Sequence, residues 1–133
     1  MTVQIAVKIA IGGDSASGCL AAATVLYAKN NNINICSQML VYPVLDCQMK
    51  TQSAKKYTDT PLWNAKLNRK MWQLYLNGNS EVDEYAKMLS QSGCEVELFN
   101  TTSTMHGFDM ALKSKIVIKS IGKRCDFLRK SFK

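Results

Sequence analysis

The sequence has a single histidine, only two prolines, and no Cys-x-x-Cys pair among its five cysteines. An odd number of scattered cysteines (Cys19, Cys36, Cys47, Cys94 and Cys125) argues against a zinc site or a disulfide framework. It fits reduced thiols in a cytoplasmic setting. No stretch approaches the roughly 18 apolar residues of a membrane span, so stable membrane insertion is not expected. Residues Met1 to Ile11 alternate like a strand and include Lys8, which is not the charged-then-apolar layout of a secretory leader. There is no internal repeat and no low-complexity linker.

Acidic residues are nearly absent from one end. Residues 1–112 carry nine basic and nine acidic side chains and sum to zero, whereas residues 113–133 carry eight basic residues and only Asp126. The whole net charge of +7 therefore lies in the last segment. With 133 residues and 47% hydrophobic content, the composition is that of one globular domain, residues 1–133.

The pattern along the chain alternates strand and helix. Val3 to Ile11 reads as a strand, and Ser17 to Lys29 as a helix with Leu20, Ala23, Thr24 and Tyr27 on one side. Asn30-Asn31-Asn32 ends that helix as a polar turn. Ile35 to Tyr42 is mostly apolar, as a strand of a parallel sheet would be, and Pro43 closes it. This is a βαβ unit and predicts a right-handed crossover. Asp46 to Thr60 reads as loop, Pro61 to Leu76 as a helix with Pro61 in its first turn, and Glu81 to Gln91 as a second helix. Cys94 to Phe99 alternates like a third strand, and Asn100 to Phe108 is a Thr- and Ser-rich loop. Lys113 to Phe132 reads as a helix with the apolar stripe Val117, Ile121, Cys125, Leu128 and Phe132. That stripe would pack on the sheet and leave the lysines solvated. A basic amphipathic surface for acidic lipid or nucleic acid ranks second, and nucleic acid is not expected as a partner.

Chemistry concentrates where the first strand meets the first helix. Gly12-Gly13-Asp14-Ser15-Ala16-Ser17-Gly18 follows an apolar run and opens a small-residue helix. That is the layout of a nucleophile elbow, which lifts a serine hydroxyl out of a sharp strand-to-helix turn. The helix N-terminus beneath it offers unbonded N–H groups and a positive dipole end to a developing oxyanion. Gly-Asp-Ser is also ordinary turn and N-cap chemistry, so the motif alone leaves both readings open.

Three further motifs follow in order. Tyr42-Pro43-Val44-Leu45-Asp46 ends the next strand, Glu84-Tyr85-Ala86-Lys87-Met88-Leu89 precedes Gly93-Cys94-Glu95-Val96-Glu97-Leu98, and Met105-His106-Gly107-Phe108 comes last. With Gly13-Asp14-Ser15-Ala16 they resemble the hormone-sensitive-lipase-like carboxylesterases and lipases of the α/β-hydrolases. The resemblance runs from about residue 8 to the end of the chain and implies a partial α/β-hydrolase fold, with parallel strands and flanking helices. It implies Ser15 as nucleophile, His106 as general base and the Ala16 N–H as oxyanion donor, acting on a small-molecule ester.

Three departures accompany it. No His-Gly-Gly-Gly loop precedes the elbow, Ser17 stands for the closing glycine, and the strand carrying the family's acid is missing before Glu81-Val82-Asp83-Glu84-Tyr85. Asp83 or Glu81 is nearest to the lost turn, and Asp83 is taken as the substitute acid; the same residues also suit the solvated first turn of a helix. Asp14 flanks the nucleophile and should point away from the histidine, and Asp46 is expected to be structural. Missing strands would leave a sheet edge exposed and favour self-association. The alternative to an esterase is an inactive, shortened relative that serves as a binding module or is a gene remnant.

Overall fold

A computed structural model of the chain describes residues 7–45, 47–76 and 97–133. They fall into two compact units: Met1–Pro43 together with Lys113–Lys133, and Val44–Leu112.

The first unit holds the βαβ core. Strand β1 (Ala10–Asp14), helix α1 (Ser15–Asn30) and strand β2 (Ser37–Val41) follow directly. The strands pair in parallel, with Ala10 opposite Ser37 and Asp14 opposite Val41. The Cys36 N–H donates to the Ile9 carbonyl at 2.8 Å and extends the ladder by a step. Parallel strands need a crossover between them, and α1 supplies it. In the described part of the strand expected over Val3 to Ile11, residues 7–9 stand outside β1, and the strand continues through Gly12 and Gly13. Those glycines read as a turn in sequence, yet they sit in register opposite Met39 and Leu40.

Helix α1 presents small side chains to the sheet. Gly18, Ala21, Ala22 and Ala28 are buried, whereas the Leu20 and Tyr27 side is exposed. The buried face is chosen by size, because only short side chains allow strand and helix to approach closely. At the end of α1, Ile33 N–H donates to the Ala28 carbonyl at 2.8 Å, and Asn32 takes a left-handed φ of 56°. This is how an asparagine turn ends a helix. The last helix of the chain, Lys115–Ser131, belongs to the same unit, with Val117 and Ser120 buried.

The second unit is built from a short helix α2 (Gln52–Lys56), a helix α3 (Ala65–Leu76) and a 3-10 turn at Phe108–Met110. The final helix, Lys115–Ser131, is α4. Residues 46–60 were expected to be loop throughout, but Thr51 caps α2 by accepting the Ala54 N–H at 3.2 Å. α3 starts four residues after Pro61 because Asn64 caps it: its Oδ1 accepts the Lys66 and Leu67 N–H groups, both at 3.1 Å. Ala65 and Trp72 form its buried side, and the Trp72 Nε1–H is buried without a partner among the described residues.

The third strand expected over Cys94 to Phe99 is corrected in its described part. Glu97, Leu98 and Phe99 are not in a strand, and the sheet among the described residues has two strands. Leu98 is 87% exposed, so no core face rewards its alternation. The helix expected over Glu81 to Gln91 lies outside the described residues.

Candidate active site

The β1–α1 junction is an elbow. Asp14 ends β1 in extended backbone (φ −116°, ψ 153°), and Ser15, the first residue of α1, has φ +48°. A side-chain-bearing residue rarely occupies that left-handed region, which costs on the order of 1–3 kcal/mol and is held only by its surroundings.

Three contacts provide that hold. A Cβ on Gly13 would fall on the Ser17 carbonyl group, so the residue two before the serine must be glycine. A Cβ on Gly18 would lie 2.8 Å from the Pro43 Cβ, so the proline that follows β2 packs directly on the first turn of α1. Ser17 closes the turn with its hydroxyl. The Asp14 N–H donates to Ser17 Oγ at 3.0 Å, and the single Ser17 hydroxyl proton is shared between the Asp14 carbonyl oxygen (2.6 Å) and Asp14 Oδ1 (2.8 Å). The Asp14 carboxylate is thus turned to Ser17. The serine standing for glycine at position 17 is not a defect in the turn but one of its fastenings.

Ala16 is the second residue of α1, where a backbone N–H has no intrahelical acceptor, and it is exposed. The helix adds its positive end at the same place. One turn further along α1, burial pushes the Cys19 thiol up in pKa, which lowers its share of thiolate.

His106 lies in the second unit, in a turn tied by hydrogen bonds from Phe108 N–H to the Met105 carbonyl (3.1 Å) and from Met110 N–H to the Gly107 carbonyl (3.2 Å). Gly107 has φ +76°, which explains a glycine directly after the histidine. The half-buried His106 ring stands 6.0 Å from the Trp63 ring, centroid to centroid, at an interplanar angle of 35°. The Trp63 Nε1–H is engaged by Asn68 Oδ1 at 3.3 Å, which orients the indole. No spacing rule links positions 63 and 106, so nothing in the sequence could have flagged Trp63 as the histidine's neighbour.

Ser15 and Ala16 thus lie in the first unit and His106 in the second. Asp83, Glu81 and Asp46 lie outside the described residues. Among the described residues no group of three or more His, Cys, Asp or Glu side chains could hold a metal ion. No helix among them is long and apolar enough to cross a membrane.

Comparison with known proteins agrees with this architecture. A family model described as alpha/beta hydrolase fold matches residues 4–84. Among solved structures, a bacterial heroin esterase superposes with a TM-score of 0.84 at 27% identity, over 94% of this chain and 52% of that one. The esterase LipW from Mycobacterium marinum superposes with a TM-score of 0.81 at 24% identity, over 92% of this chain and 49% of that one. The chain therefore spans about half the length of these neighbours. No curated protein matches it.

Proposed function

Because the chain belongs to the alpha/beta hydrolase fold family, we propose that its chemistry is the hydrolysis of small carboxylic esters through an acyl-serine. The observation that carries this reading is Ser15 at φ +48° on the strand-to-helix turn, the strained conformation in which a nucleophilic serine is presented. The name of the bacterial heroin esterase, which is 27% identical to this chain, supports the substrate class.

In this mechanism the Ser15 oxygen attacks the ester carbonyl carbon while His106 takes the hydroxyl proton. The Ala16 N–H donates to the resulting oxyanion. Collapse breaks the bond to the alcohol, which leaves with the proton from His106. Water, deprotonated by His106, then attacks the acyl-serine and releases the acid and free Ser15. Asp83 is the carboxylate assigned to orient the imidazole. No metal and no organic cofactor takes part. The odd number of cysteines fits a cytoplasmic, reducing setting. Self-association would run through an edge of the sheet, which has two strands among the described residues.

Hydrolysis of p-nitrophenyl butyrate by the purified chain, beside Ser15→Ala and His106→Ala, tests the reading. Turnover above the Ser15→Ala background supports it. Equal rates from all three proteins leave an inactive relative that keeps the fold as a binding module or remnant.

A further inference from the structure

Trp63 is fixed more firmly than a loop residue needs to be. Leu62 has φ +65°, and the Trp63 N–H donates to the Pro61 carbonyl at 2.7 Å. That is a γ-turn of the rare left-handed kind, strained for a bulky side chain. The Leu62 side chain is 61% exposed, so its own packing does not maintain the turn. Hydrogen bonds on either side do. Thr60 Oγ1 donates to the Trp63 carbonyl at 2.7 Å, and Asn64 Nδ2 donates to the Thr60 carbonyl at 3.4 Å. The Ala65 N–H then ties the start of α3 to the Tyr57 carbonyl at 2.9 Å.

What this turn delivers is the indole. Trp63 is half-buried, and its Nε1–H donates to Asn68 of α3, so its backbone and its ring are both held. The ring meets the His106 ring at 6.0 Å, within the range of an aromatic pair, and both residues belong to the same compact unit. Strain of this kind persists only where the surroundings over-determine it, and it gathers at functional positions. An imidazole turns about its side-chain bonds and keeps one nitrogen aimed at a partner only where its neighbours limit that rotation.

We propose that Trp63 is a positioning residue for His106. The indole stands as a wall against the imidazole and narrows its orientations to those that serve proton transfer. This rests on the ester-hydrolysis reading, in which His106 is the general base. Trp63 acts through His106, with no contact to the ester assigned to it. The strand that carries the family's acid is missing from the sequence, so a brace on the imidazole in addition to a carboxylate has a purpose. Thr60 and Asn68 serve the same end one step further out, by holding Trp63.

The test compares Trp63→Ala, Trp63→Phe and Asn68→Ala with the unsubstituted 133-residue chain, with folding verified by circular dichroism. In p-nitrophenyl butyrate hydrolysis above the Ser15→Ala background, Trp63→Ala should lose roughly tenfold to a hundredfold in kcat with KM little changed. Trp63→Phe keeps a flat ring against His106 and should recover most of that loss. Asn68→Ala frees the indole without removing it and should lose about threefold in kcat. A second readout needs no turnover: carbethoxylation of the single histidine by diethyl pyrocarbonate, mapped by peptide mass spectrometry. It should be several times faster in Trp63→Ala and close to that of the unsubstituted chain in Trp63→Phe. An unchanged kcat in Trp63→Ala overturns the proposal, as does a loss confined to KM or an equal loss in Trp63→Phe. If Trp63→Ala does not fold, Asn68→Ala decides in its place, and unchanged kcat and carbethoxylation there overturn the proposal. If no ester is turned over by any of the proteins, the hydrolysis reading fails on its own. Carbethoxylation faster in Trp63→Ala alone then upholds the brace on His106, and equal rates in all variants overturn it too.

Discussion

The Ser17 hydroxyl accepts the Asp14 N–H at 3.0 Å, and its own proton lies between two Asp14 oxygens. The residue two after the elbow serine is thereby tied to the residue just before it, and the turn that carries Ser15 is closed by a side chain. Ser17→Ala leaves the Asp14 N–H without this acceptor and is expected to destabilise the protein by about 1 kcal/mol, as loss of a helix-start cap does. A lower urea midpoint at unchanged slope is the readout.

Gly18 and Gly122 give opposite outcomes for the same substitution. A Cβ at 18 would press to 2.8 Å from Pro43, whereas one at 122 meets nothing within 4 Å. Gly18→Ala should destabilise by roughly 1–3 kcal/mol because α1 and Pro43 must separate. Gly122→Ala, on the exposed side of α4, should stabilise by about 1 kcal/mol through helix propensity. Thermal unfolding of the two single variants checks both signs.

The cysteines should differ in reactivity. Burial raises the pKa of Cys19, so less thiolate is present at any given pH, while Cys36 is exposed. Alkylation by iodoacetamide near pH 8, mapped by peptide mass spectrometry, should modify Cys36 well before Cys19. The lag at Cys19 should shrink as pH rises toward its elevated pKa.

Trp63 should be visible in the spectrum of the single histidine. With ring centroids 6.0 Å apart, the indole perturbs the shielding of the His106 ring protons. In Trp63→Leu the His106 ring resonances should move, and because the chain has one histidine the assignment is unambiguous. Unchanged shifts would show that the two rings do not meet in solution.

What the sequence could convey was local. The elbow, the helix behind it and the parallel partner strand follow from a glycine-serine turn between apolar runs: α1 and β2 stand within two residues of where that pattern puts them, whereas β1 shares only Ala10 and Ile11 with the strand expected over Val3 to Ile11. The errors have physical sources. Gly12 and Gly13 signal a turn, yet the ladder continues through them because the paired backbone needs no side chain. α2 has no apolar period to announce it and rests on the Thr51 cap. Alternation around Leu98 predicts a strand, but Glu97, Leu98 and Phe99 are not in one, and Leu98 is 87% exposed, with no core face to reward the alternation. For the candidate site, Ser15, Ala16 and His106 could be named from motif order. The Gly18–Pro43 approach and the Trp63–His106 pair are tertiary and left no mark in spacing.

Covalent capture of Ser15 is the most direct test of the central claim that this elbow presents a working nucleophile. The intact chain would be treated with a fluorophosphonate, which phosphonylates activated serines with loss of fluoride, and mapped by peptide mass spectrometry. The account predicts a single time-dependent adduct on Ser15, absent in Ser15→Ala and strongly slowed in His106→Ala. No adduct, or one whose rate is indifferent to His106, would contradict it.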